Sequence, residues 1–115
     1  MSGNIAHDHG DKVFVFSETI TPIAERADDV LSISLKSSEA LAGQPGLIQS
    51  MVTRSEKKGG EICTTTIWKS KQDFQNFMKS DEVAALLKSD DMVNIKAWIS
   101  EYKMLMSDLV AGWHG

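Results

Sequence analysis

The sequence predicts an α+β fold with the element order β-α-β-β-α-β. Three observations predict it. Residues 12–20 and 61–69 are β-branched runs, and each leads into a stretch with apolar residues at helical spacing. Lys57-Lys58-Gly59-Gly60 is a turn-forming segment that separates the second of these runs from one further strand-like run, Leu47 to Arg54. The chain has 115 residues, 42% of them hydrophobic and 24% charged, which suits one domain with a single modest core.

Residues 1–11 are polar, carry Gly3 and Gly10, and are expected to form a loose arm ahead of a domain at 12–106, with a short tail at 107–115. Lys12 to Ile20 alternates and is rich in Val, Phe, Thr and Ile, as a strand requires. Thr21-Pro22 is a helix start, with Thr as cap and Pro at a first position where its missing N–H is no loss. Ile23, Ala27, Val30, Leu31, Ser34, Leu35 and Leu41 then place an apolar stripe on a helix from about 22 to 42, closed by Gly43, Pro45 and Gly46.

Leu47 to Arg54 and Glu61 to Lys69 are predicted to pair antiparallel. Ser70 caps the next helix, with Asp73 as the acidic half of a capping box and Phe74, Phe77 and Met78 as its apolar face. Ser80-Asp81-Glu82 opens another helical segment that carries Val83, Leu86 and Leu87 inward. After Ser89-Asp90-Asp91, a last strand is expected from about Val93 to Met106. This order is the ferredoxin-like split βαβ arrangement. Two helices cover only one face of a four-stranded sheet, so the other face needs a cover, which a second copy of the chain supplies most simply.

The net charge of −4, with Arg26 and Arg54 as the only arginines, argues against a nucleic-acid partner. No apolar run approaches the ~20 residues of a membrane span, and the N-terminus lacks the pattern of an export signal. A single Cys63 cannot form an internal disulfide, which points to a reducing, cytoplasmic setting.

The stretch Trp68-Lys69-Ser70-Lys71-Gln72, with Phe74 and Lys79-Ser80-Asp81 following, resembles the strand-to-helix junction of the antibiotic biosynthesis monooxygenase superfamily. Within it, the likeness is greatest to the IsdG-like haem-degrading monooxygenases. The resemblance implies a dimeric α+β barrel. It also implies either haem chemistry or a cofactor-free oxygenation in which an aromatic or quinol substrate itself supplies electrons to dioxygen. In the register of that junction, the family's second tryptophan falls on Phe77, its axial histidine on Leu87, and its first-strand asparagine close to Glu18. Haem iron takes His, Cys, Met or Tyr, so Leu87 departs from the pattern and no cofactor is expected in the usual form. Phe74 falls near a position that is tyrosine in some cofactor-free members, and Thr64 near one that is asparagine.

The candidate site residues follow from this register and from strand alternation. Ile62, Thr64, Thr66 and Trp68 share one face of their strand, an apolar wall with hydroxyls that suits a flat aromatic ligand; the alternative is that Trp68 plugs the core. Phe74, Phe77 and Leu87 would line the same pocket. Glu18 is the one acid in an otherwise apolar first strand, and is either a general base or a solvent-facing residue at the strand end. Trp98 and Tyr102, four apart, are expected to share a strand face, lining either the cavity or the subunit seam. His7, His9 and His114 lie in the terminal arms, without the third and fourth ligands of a metal site, and Cys63 is expected to be an inert core thiol. Three functions remain open: a cofactor-free monooxygenase binding a small hydrophobic or aromatic ligand, a haem-binding or haem-degrading protein with atypical ligation, and a non-catalytic dimeric binding protein.

Overall fold

A computed structural model describes residues 12–57, 60–113 and 115. The elements are β1 (Phe14–Pro22), a 3-10 turn (Ala24–Arg26), α1 (Ala27–Glu39), β2 (Leu47–Arg54), β3 (Ile62–Trp68), α2 (Lys71–Met78), α3 (Asp81–Leu87), α4 (Asp90–Trp98) and β4 (Ile99–Asp108). The four strands form one sheet in the order β2-β3-β1-β4, and every pairing is antiparallel. This is the ferredoxin-like α+β arrangement expected from the sequence. Among the described residues, no helix is long and apolar enough to cross a membrane. The N-terminal arm, with His7 and His9, lies outside the described residues, as do Lys58, Gly59 and His114.

Two expectations are corrected. Pro22 does not open a helix; it ends β1, opposite Ile99 and past a register shift at Thr21/Pro22. A residue without an N–H is tolerated there because the pairing with β3 has already stopped at Ile20↔Ile62. The helix begins only at Ala27, after the 3-10 turn, and ends at Glu39. The segment 93–98 is helical, not extended. Ser89 accepts a hydrogen bond from the Met92 N–H and starts α4, as Ser70 and Ser80 start α2 and α3. Met92, Ile95 and Trp98 stand three residues apart on the inward face, whereas Val93 is 60% exposed.

One face of the sheet carries the core. Phe14, Phe16, Leu41, Trp68 and Phe74 form one buried cluster, with Leu47 and Phe77 against it. Val30, Ile33, Ile62 and Ile95 form a second, against which Ile20, Val52, Met92 and Trp98 pack. α1 enters the second cluster through Val30 and Ile33, and Leu41, in the turn just after the helix, joins the first. On the opposite face Val15, Cys63 and Thr65 are half-buried, Ile67 is buried at one end, and Leu105 is 64% exposed. Neither buried cluster includes a residue of that face.

Candidate functional site

The register across the helix-covered face sets the site. Side chains alternate along each strand, so Phe14, Phe16, Glu18 and Ile20 of β1 share that face with Ile62, Thr64, Thr66 and Trp68 of β3. The rows run Trp68–Phe14–Asp108, Thr66–Phe16–Met106, Thr64–Glu18–Met104 and Ile62–Ile20–Tyr102. The two outer rows feed the two apolar clusters. Glu18 and Thr64, directly opposite each other, therefore fall in the interval between the clusters.

Glu18 is half-buried at mid-strand, not at the strand end, and its Oε2 accepts a hydrogen bond of 2.6 Å from the Tyr102 hydroxyl. A contact this short between a hydroxyl and a carboxylate is a charge-assisted bond. Burial, the hydrogen bond to Glu18 and the charge of that carboxylate, in that order, raise the Tyr102 phenol above its ordinary pKa. Among the described residues no helix lies broadly over β4, and the pair opens to solvent on that side. Tyr102, Met104 and Met106 there are 49%, 52% and 48% exposed, an uncovered apolar strip beside the carboxylate.

The aromatic residues expected to bind a ligand are brought together, and they fill their own space. Trp68 is 0% exposed. Phe74 packs against Phe14 at 5.1 Å, Phe16 at 4.7 Å and Trp68 at 5.8 Å between ring centroids, and Phe77 lies 5.4 Å from Trp68. These are the tilted and edge-on arrangements that aromatic rings favour in a core. The Trp68 Nε1–H donates to the Thr66 hydroxyl at 2.9 Å, and that hydroxyl donates to the Phe16 carbonyl at 3.4 Å. Leu87, at the end of α3, is 54% exposed and belongs to neither cluster.

The helix carrying Phe74 and Phe77 is fixed by local chemistry. The Ser70 hydroxyl accepts from the Asp73 N–H at 3.1 Å and donates to the Asp73 carboxylate at 3.1 Å. The Lys69 N–H donates to the Gly46 carbonyl at 2.8 Å, tying the β3–α2 junction to the turn after α1.

On the far flank, a groove of about 790 Å³ runs between α1 and β2, lined by Leu35, Ser38, Leu47, Ser50 and Val52 among others. The Ser38 and Ser50 hydroxyls hydrogen-bond across it at 2.9 Å. Ser34, 5% exposed on the buried side of α1, has an Oγ without a partner among the described residues.

The link between Tyr102 and Glu18 was not expected from the sequence. Tyr102 was expected beside Trp98 on one strand face, but Trp98 ends α4 and packs with the second cluster beneath the Arg26 guanidinium, 4.4 Å from its ring centroid. The available signal was the alternation of Tyr102, Met104 and Met106, which gains meaning only once β4 is known to begin at Ile99.

The residues on which the resemblance to haem-degrading proteins would put the haem contacts do not fit that group. Leu87 offers no donor atom, and Phe77 is packed against Trp68. Among the described residues, no cluster of three or more His, Cys, Asp or Glu side chains could hold a metal ion.

Solved structures share the fold. An asparagine-to-alanine variant of SnoaB, a cofactor-independent oxygenase from Streptomyces nogalater, superposes with a TM-score of 0.70 at 12% identity, covering 86% of this chain and 94% of that one. A protein from Chloroflexus aurantiacus, provisionally assigned as an antibiotic biosynthesis monooxygenase, gives 0.66 at 16% identity over 90% and 97%. A protein from Shewanella oneidensis gives 0.71 at 6% identity over 91% and 95%. At such identities the likeness establishes the fold alone. No curated protein matches the sequence. The sequence model of the antibiotic biosynthesis monooxygenases does match, over residues 14–89, from the start of β1 to just past α3. That match takes in more than half of the chain and carries Glu18, Thr64 and Trp68 with it, and on it the protein belongs to the antibiotic biosynthesis monooxygenase family.

Proposed function

We propose that the protein is a cofactor-free oxygenase acting on a small aromatic or quinol-type substrate, with Glu18 as its general base. The observation that carries this reading is the 2.6 Å Tyr102–Glu18 hydrogen bond in the interval between the two apolar clusters, open along β4. A carboxylate flanked by Phe16 and Ile20 on its own strand, and facing Thr64 and Met104 across it, is placed to take a proton from a ligand lying against that face of the sheet along β4. The ligand anion then reduces dioxygen. With an anthrone, the methylene loses two hydrogens, one oxygen atom becomes the new carbonyl and the other leaves as water. Thr64 lies opposite the base as a hydroxyl contact for the substrate. Trp68, Phe74 and Phe77 form the rigid wall at the end of the site.

The family assignment and the fold shared with a cofactor-independent oxygenase support the same direction. We further propose that the protein works as a homodimer in a reducing compartment, a second copy covering the sheet face that carries Val15, Cys63, Thr65 and Leu105. Oxygen consumption with a panel of anthrones and quinols tests the oxygenase reading. Uptake above the buffer rate for at least one planar hydroxylated substrate is expected; buffer-rate consumption for every member rejects it.

The packing of Phe74 and Phe77 against Trp68 favours one second reading, a non-catalytic dimeric binding protein. It predicts ligand binding without oxygen uptake. Haem ligation is not expected with Leu87 in the axial position, and haemin added to the purified protein should keep its free spectrum.

A further inference from the structure

The group that occupies the Glu18 carboxylate is itself a phenol. Tyr102 is the only tyrosine of the chain, and its hydroxyl is a short donor to Glu18 Oε2. Its ring continues the strip of Met104 and Met106, half exposed and, among the described residues, without a helix packed broadly over it. Thioether side chains are unbranched and polarisable, and they adapt to flat aromatic rings. The strip and the carboxylate thus present, side by side, a surface for an aromatic ring and an acceptor for the hydroxyl that ring carries. Glu101 and Lys103, the charged neighbours of Tyr102 on β4, alternate to the other face and bond each other at 3.3 Å, so they do not compete for Glu18.

Resting on the reading of Glu18 as the base, we infer that a phenolic hydroxyl of a planar ligand lying on the Met104–Met106 strip replaces the Tyr102 hydroxyl on Glu18. Tyr102 is then a specificity-determining residue: it holds the donor position until a ligand with an equivalent donor takes it. Phenols and quinols can make the exchange, because they offer an acidic O–H on a ring. Aryl ethers cannot, because they would leave the carboxylate without the donor it gives up. The exchange breaks one O–H···O⁻ hydrogen bond and makes another, with no net change in protonation at that stage.

The test is the binding of 2-naphthol and of 2-methoxynaphthalene, its O-methyl ether, followed by their own fluorescence with the full chain. Wild type should prefer 2-naphthol. Tyr102→Phe keeps the ring and removes the internal competitor, so its Kd for 2-naphthol should fall by about 3- to 10-fold, while that for the ether stays unchanged. In Glu18→Gln the advantage of 2-naphthol over the ether should shrink towards none. Unchanged or weaker 2-naphthol binding by Tyr102→Phe, an equal gain for the ether, or no 2-naphthol binding by any form would overturn the inference. Its failure is distinguishable from failure of the oxygenase reading. Oxygen uptake that depends on Glu18, with no tightening in Tyr102→Phe, removes only the exchange; tightening without oxygen uptake removes only the oxygenase.

Discussion

The Trp68 indole N–H donates to the Thr66 hydroxyl at 2.9 Å, and the same hydroxyl donates to the Phe16 backbone carbonyl at 3.4 Å. The tryptophan is thus bonded back into the strand pair β1–β3 at the level where Phe74 meets it edge-on. Trp68→Phe removes the donor and leaves unfilled volume in a fully buried place. It should cost about 2 to 4 kcal/mol, read as a lower urea midpoint with an unchanged denaturant slope. A near-neutral substitution would mean that the indole is not packed as described.

The turn after α1 offers a paired comparison. Gly43 and Gly46 both have positive φ, at +81° and +83°. A Cβ on Gly43 would meet nothing within 4 Å, whereas one on Gly46 would run into the Asp73 side chain, which accepts from the Ser70 cap in the first turn of α2. Gly43→Ala should cost about 1 kcal/mol, from backbone conformation alone. Gly46→Ala adds displacement of the Asp73 side chain and should cost clearly more in the same unfolding experiment. Equal costs would contradict the contact.

Tyr102 titrates alone in this chain, so its ionisation is visible as the tyrosinate absorbance. Burial and Glu18 raise its pKa in the folded protein, so the folded state holds that proton more tightly than the unfolded state. The resulting stability is fully present below the ordinary tyrosine pKa of about 10 and is lost as pH rises through the folded value. The stability difference between wild type and Tyr102→Phe should therefore be flat near neutrality and shrink at high pH. Glu18→Gln should bring the tyrosinate transition to lower pH. An unmoved transition would mean that Glu18 and Tyr102 do not interact in solution.

The proposed second copy has its own check. Sedimentation should give a mass near twice 12.7 kDa. Leu105→Asp, on the face opposite the helices, should shift the protein towards monomer, because burying an unpaired carboxylate in an apolar seam is costly. A dimer untouched by that substitution would place the interface elsewhere.

Much of this architecture is legible in the sequence, and the exceptions have physical causes. Leu47–Arg54 and Ile62–Trp68 could be read because strand alternation and the turn between them are local signals. The Ser70 cap was legible for the same reason. Pro22 misled because Thr-Pro satisfies the rules of a helix start, and only the end of pairing at Ile20↔Ile62 makes the strand end an equally good place for it. Residues 93–98 misled because Val93 and Ile95 alternate like a strand, whereas the burial follows Met92 and Ile95. That error displaced the start of β4, and with it the relation of Tyr102 to Glu18, which are 84 residues apart. The candidate site was legible one residue at a time, in Glu18 and Thr64, but its pairing depends on register between β1 and β4, which no local pattern encodes.

The most direct measurement is oxygen uptake with an anthrone substrate by wild type and Glu18→Gln. If Glu18 is the base, the amide should retain the fold and lose at least about 100-fold in kcat. A Glu18→Gln protein that consumes oxygen at the wild-type rate would contradict the account.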